Sequence, residues 1–205
     1  MKKISDSTIR RLSKYYRSLE QLIDRNVETV SSDQLAEMDG ITSAQVRKDL
    51  SFFGTFGKRG LGYNTGALKD QIGEILGLNR TWNVVIAGAG NIGRALVNFE
   101  EFKRQGFVVK AILDSDPEKI GRSVGHLEIK PIADMARVIE AEAIEIAIIA
   151  VPMNAAQRVA DALMDCGIKG ILNFAPISIK ALPGVTVKSE NTAIEIEALS
   201  YHLSK

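Results

Sequence analysis

The chain has 205 residues, 45% of them hydrophobic and 25% charged, room for one large domain or two modest ones of ordinary soluble composition. No run approaches the ~18 consecutive apolar residues of a membrane span, and the N-terminus MKKISDSTIRR lacks the apolar stretch of a secretory leader, so a cytoplasmic protein with no membrane partner is expected. The single cysteine, Cys166, excludes an internal disulfide and reads as a small buried residue, while a net charge of +1 says nothing by itself about nucleic acid.

From Ser5 to about Asn26, the residues Ile9, Leu12, Tyr16, Leu19 and Ile23 recur at the spacing of an amphipathic helix. Arg10, Arg11 and Lys14 on it suit phosphate contacts and a solvated face equally well. A second, short helix starts at Ser31 or Ser32, where Ser31 and Gln34 can form a capping box, and stops near Gly40. A third starts at Thr42, with Gln45 three residues on, and runs through Val46 and Leu50 to Gly54. Helix, tight glycine-containing turn, helix is the pattern of a helix-turn-helix.

The glycine-rich stretch GTFGKRGLGYN that follows reads as a wing. Residues 1–62 hold 11 Lys/Arg against 8 Asp/Glu, and within 42–63 Arg47, Lys48, Lys58 and Arg59 face only Asp49. Arg47 and Lys48 fall early in the would-be recognition helix, and Lys58, Arg59, Gly60 and Gly62 fall in the wing. Those are the two places where a winged helix meets double-stranded DNA. The bland alternative is a solvated helix with a loose connector.

A further helix is expected from Thr65 to about Leu76, and Gly77, Asn79 and Arg80 look like a connector. Beyond it the pattern changes to short apolar strands (NVVIAG, FVVKAILD, EIAIIAV, GILNF, GVTV) separated by helical stretches near 95–97, 132–141 and 154–165. That alternation predicts an α/β domain, a Rossmann-like doubly wound parallel sheet covered on both faces. The expected organisation is a winged-helix domain at 1–78, a dinucleotide-binding domain at 79–190 and a C-terminal helix at 191–205.

The first of these strands ends in Gly88-Ala89-Gly90-Asn91-Ile92-Gly93 and opens into a helix, and Asp114 stands at the end of the next strand, 21 residues past Gly93. Gly88 suits the tight turn, Gly90 the approach of a pyrophosphate, and Gly93 the packing of helix on strand; Asn91 and Ile92 lie at the helix start that would face the phosphates. Asp114 would accept hydrogen bonds from the adenosine ribose and repel a 2′-phosphate, which predicts NAD+ and NADH over the phosphorylated forms. Asp116 reads as a turn residue. Val151-Pro152 and Asn173, Ala175 and Pro176 lie after later strands, where they would border the ligand crevice. The histidines, His126 and His202, sit where neither serves as an obvious acid–base residue for hydride chemistry. In TAIEIEALSYHL, Ile196, Leu199 and Leu203 give the last helix an apolar face, for its own domain or for a second subunit.

With these motifs together, the chain resembles the Rex family of redox-sensing transcriptional repressors. The resemblance rests on QVRKDLSFFGTFGKRGLGY at 45–63, GAGNIGRAL at 88–96, DSDPEKIG at 114–121 and GIKGILNFAP at 167–176. It implies a non-enzymatic homodimer with exchanged C-terminal helices, bound to a palindromic operator when the crevice is empty or holds NAD+, and released by NADH. It also exposes a departure. Many members carry a tyrosine in the helix after the glycine loop that meets an aspartate of the partner's exchanged helix, and Phe99 and Ala193 stand at the matching positions. Apolar packing of Phe99 and Ile194 near the nicotinamide is expected in its place. Two rival readings remain, a small NAD-dependent oxidoreductase and a coenzyme A-binding module.

Overall fold

A computed structural model of the chain describes residues 4–54, 56 and 61–204. The chain divides into two compact units, Met1–Arg80 and Thr81–Lys205.

The first unit runs α1 (Asp6–Asp24), β1 (Thr29–Val30), α2 (Ser32–Asp39), α3 (Ser43–Ser51), β2 (Tyr63–Asn64) and α4 (Thr65–Leu76). Each helix begins at a side-chain cap: Ser5 accepts from the Thr8 amide, Thr42 from Gln45 and Asn64 from Ala67. Ser31 and Gln34 make the full reciprocal box. Each such cap is worth about 1 kcal/mol. Gly40 closes α2 in the left-handed conformation, and α3 follows after Ile41 and Thr42. The helix stops at Ser51, three residues short of the expected Gly54.

The buried stripe of α1 is also rotated from the expected one. Leu12, Tyr15 and Leu19 are fully buried, whereas Ile9 and Ile23 are exposed. They pack with Val30, Leu35, Val46, Leu50, Leu68 and Ile72 into one core. A short antiparallel ribbon, Thr29↔Asn64 and Val30↔Tyr63, closes this winged-helix unit.

The second unit is a Rossmann-like fold. Its strands are β3 (Trp82–Ala87), β4 (Phe107–Asp114), β5 (Ser123–Val124), β6 (Leu127–Pro131), β7 (Ile146–Ile149), β8 (Gly170–Asn173) and β9 (Thr186–Ser189). Their order is β5-β6-β4-β3-β7-β8-β9, parallel throughout except for the β5–β6 pair. The helices are α5 (Asn91–Val97), α6 (Glu100–Arg104), α7 (Met135–Ala141), α8 (Met153–Asp165) and α9 (Thr192–Leu203).

Alternate residues of the central strand β3 serve two cores. Val85 and Ala87 join Leu113, Ile149, Val138 and Leu163 on one face, and Val84 and Ile86 join Ile112, Ile129, Ile148 and Val97 on the other. Burial on both faces is why the strands read as continuous apolar runs. From β3 the chain builds β4 and β6 on one side, then crosses to β7 on the other. A crevice therefore opens where the carboxyl ends of β3 and β7 diverge.

One expectation needs correction here, and one open alternative closes. Phe99 lies in no helix: α5 ends at Val97, and Phe99 caps the separate α6 in an extended conformation. No residue of α9 is buried, so its apolar face does not pack on its own domain.

Candidate functional site

The crevice has a volume of about 690 Å³ and is lined by residues that include Gly88, Gly90, Asn91, Ile92 and Asp114. Gly88 has φ +108°, and a Cβ there would stand 2.4 Å from the Ala150 carbonyl oxygen at the end of β7. A Cβ on Gly93 would stand 1.9 Å from the Gly88 carbonyl oxygen, so Gly93 makes room for the loop itself even more than for the strand behind it. Both clashes are with backbone, which no rotamer change relieves. By contrast, a Cβ on Gly90 would meet nothing within 4 Å. Gly90 also starts α5 without a side-chain cap, leaving first-turn donors for anionic oxygens. A pyrophosphate fits this cradle.

Asp114 closes one end of the crevice. Its Oδ2 accepts from the Ala89 amide at 2.8 Å and from Lys119 Nζ at 3.2 Å, and its Oδ1 accepts from the Asp116 amide at 2.9 Å. Burial works to raise its pKa, but the Asp116 and Ala89 amides and Lys119 outweigh it and hold the carboxyl below the usual range. It is thus a fixed, charged acceptor. A carboxylate has about four acceptor positions, so one remains for a ribose hydroxyl, and the partly exposed Lys119 can give way to a second.

Asp116 is a turn residue, its Oδ1 accepting from the Glu118 amide, yet it also lines the crevice and lies 3.5 Å from Lys119. Lys119 and Arg158 are crevice residues that the sequence reading gave no role. Lys119 stood inside the DSDPEKIG motif, and Arg158 stands on the helix after β7, so the element order held the signal for both.

Val151, Pro152, Ala175 and Pro176 all line the crevice, with Phe174 beside them. Asn173 does not. It is 0% exposed, its amide nitrogen donates to the carbonyls of Ala175 and Ile177, and its Oδ1 accepts from the Ala175 amide. It is a staple that shapes the loop carrying the lining residues. Phe99 lies apart from the crevice too, half exposed, in a second cleft with Phe102, Phe107 and His126. Ala193 and Ile194 are exposed on α9. Within one chain neither Phe99 nor Ile194 lines the crevice; the packing expected of them near a nicotinamide is one between subunits.

In the first unit, Arg47 and Lys48 are exposed on α3, and Arg47 donates to Ser32 Oγ at 2.8 Å. Gly62 packs against the Val30 backbone, its Cα too close for a side chain. Lys58, Arg59 and Gly60 lie outside the described residues. Arg11 is neither a solvated nor a phosphate-facing group, because its guanidinium grips the buried Asp49 carboxylate through Nε and, at 2.8 Å, a terminal nitrogen. Asp49 therefore does not offset the exposed charge of α3, as the sequence count implied.

Two family models match the chain. One, described as a putative DNA-binding protein N-terminus, covers residues 3–51, and the other, described as a CoA binding domain, covers residues 79–177. A redox-sensing transcriptional repressor Rex from Thermosipho africanus is 44% identical over 204 residues, spanning 100% of this chain and 98% of the relative. One of the same name from Carboxydothermus hydrogenoformans is 45% identical over 203 residues, spanning 99% and 98%. Among solved structures, RSP in complex with beta-NAD+ and operator DNA superposes with a TM-score of 0.93 at 37% identity, covering 99% of this chain and 94% of that one. RSP in complex with beta-NADH gives 0.89 at 36% identity, covering 99% and 95%.

Proposed function

The chain belongs to the Rex family of redox-sensing transcriptional repressors, and from that premise we propose that it holds palindromic operator DNA as a cytoplasmic homodimer while its crevice is empty or carries NAD+, and lets go when NADH replaces NAD+. The observation that carries this reading is the pairing in one chain of a capped helix-turn-helix presenting Arg47 and Lys48 with a glycine-looped crevice ending on the charged Asp114. No described helix is long and apolar enough to cross a membrane.

The chain's residues divide the work. Arg47 and Lys48, with Lys58 and Arg59 in the wing, meet the DNA, and dimer symmetry matches the two half-sites of the operator. Gly88, Gly90 and Gly93 shape the pyrophosphate cradle, and Asp114 takes the adenosine ribose. The reduced and oxidised rings of the bound dinucleotide differ by one positive charge. Val151, Pro152, Ala175 and Pro176 form an apolar wall, and burying the cationic ring against it costs more than burying the neutral one. That difference biases the dimer toward a state in which the recognition helices no longer match the half-site spacing. A hundredfold preference for that state corresponds to about 2.8 kcal/mol, the scale of ordinary allosteric coupling.

The reading is regulatory. His126 lines the separate cleft with Phe99, and His202 is exposed on α9, so neither is placed for acid–base chemistry at the crevice. The CoA-binding model favours a second reading, against which Asp114 would face the 3′-phosphate of coenzyme A unfavourably.

Selection of binding sites from a random duplex library, at stated salt, tests the proposal. An enriched inverted repeat is expected, and no enrichment in the absence of NADH would remove the operator from the account.

A further inference from the structure

The carboxylate of Asp49 is 0% exposed in the interior of the first unit. Five donors converge on it. Oδ2 accepts from Tyr15 Oη at 2.8 Å and from Arg11 Nε; Oδ1 accepts from Arg11 at 2.8 Å, Gln45 Nε2 at 2.8 Å and Thr8 Oγ1 at 3.4 Å. Thr8, Arg11 and Tyr15 lie on one face of α1, so this side chain of α3 is tied at three points to another helix. Gln45, three residues past Thr42, points its side-chain amide at Asp49.

Stability alone is a poor reason for such a group. A buried ion pair is often no more stable than apolar residues of the same volume, and its best-attested benefit is a fixed register. The apolar neighbours of Asp49 on α3, Val46 and Leu50, are buried as well. Their contacts are non-directional and tolerate a small rotation or slide of the helix. A two-pronged guanidinium–carboxylate contact does not. With about 100° between successive helix residues, turning Asp49 inward turns Arg47 and Lys48 outward.

We infer that Asp49, held by Arg11 and Tyr15, is the positioning residue of the recognition helix: it sets the rotation at which α3 presents Arg47 and Lys48 to DNA. The inference rests on the repressor reading above and names the device by which operator sequence, as opposed to DNA in general, is selected.

The test compares three variants of the full chain with the parent, on the selected inverted repeat and on a scrambled duplex. Asp49→Asn keeps the shape but loses the charge that orients Arg11. Tyr15→Phe removes one donor. Arg11→Met with Asp49→Leu replaces the pair by apolar volume. The ratio of operator to scrambled affinity is expected to fall by about tenfold in Asp49→Asn, the size of one lost base contact, and less in Tyr15→Phe, with NADH affinity unchanged in both. The double variant is expected to recover thermal stability while its operator selectivity stays low, which a purely structural role would not produce. An unchanged ratio in Asp49→Asn and the double variant, with a selective parent, would overturn the inference alone. A parent that fails to distinguish the two duplexes would overturn the repressor reading and this inference with it.

Discussion

Asp114→Ala is expected to lower NADH affinity by roughly a hundredfold and to leave a repressor that stays on its operator at NADH concentrations that release the parent. The size follows from the bonds at stake. A hydrogen bond to a charged group is worth about 1.5–3 kcal/mol, and the ribose offers two hydroxyls to one carboxylate. Removing Asp114 also frees the Ala89 amide of the glycine loop and leaves Lys119, which lines the crevice with Arg158, paired with Asp116 in place of two carboxylates. The same variant should consequently bind NADPH at least as well as NADH, because the 2′-phosphate then meets a lysine where it met a carboxylate. Titration with both reduced dinucleotides measures this directly. Unchanged NADH affinity would mean that the ribose is held elsewhere.

Arg11→Met is the second large effect. It leaves the fully buried Asp49 carboxylate without its charged partner, a change that costs about 3–5 kcal/mol. Both the melting temperature and the pH profile report it. In the parent, burial works to raise the Asp49 pKa, but hydrogen bonds from Arg11, Tyr15 and Gln45 outweigh it and hold the carboxyl below its usual range. A folded-state pKa below the unfolded value of about 3.9 contributes stability that is present above that pH and is lost as the pH falls through the folded value. In Arg11→Met the burial effect dominates and the folded pKa rises above the unfolded one. The contribution then reverses, being present in acid and lost as pH rises. Between pH 4 and 7 the contribution of Asp49 is therefore expected to be flat in the parent and to decline with pH in the variant, on top of the decline that burial of Asp39, which raises its pKa, gives to both. Parallel profiles would show that Asp49 does not depend on Arg11.

What was legible in the sequence was what fixed spacing encodes. Ser31 and Gln34, Thr42 and Gln45, and Gly88 through Gly93 act within a few residues of themselves, so the helix starts and the glycine loop stood out from the pattern. The central strands of the sheet were legible because burial on both faces makes them uniformly apolar, whereas β5 and β6, with the sequences SV and LEIKP, carry no apolar run and were not among the expected strands. What escaped depends on contacts across the fold, or on how the chain and a side chain turn within one loop. Arg11 and Asp49 are 38 residues apart, and nothing near either marks the pair. Asn173 sat at the right strand end, yet its amide turned inward to hold its own loop, a choice no local pattern records. The break between Val97 and Phe99 removed Phe99 from the helix in which the family resemblance placed it. That Phe99 and Ala193 stand where the family resemblance puts a tyrosine and an aspartate is an expectation from the sequence. Within the chain those two residues neither meet the crevice nor compensate there.

The most direct test of the central claim is titration of the preformed operator complex with NADH and, separately, with NAD+, at one stated salt concentration. NADH is expected to dissociate the complex at concentrations where NAD+ leaves it intact, with the difference at those concentrations abolished by Asp114→Ala. Equal effects of the two dinucleotides, whether both release the DNA or neither does, would contradict it.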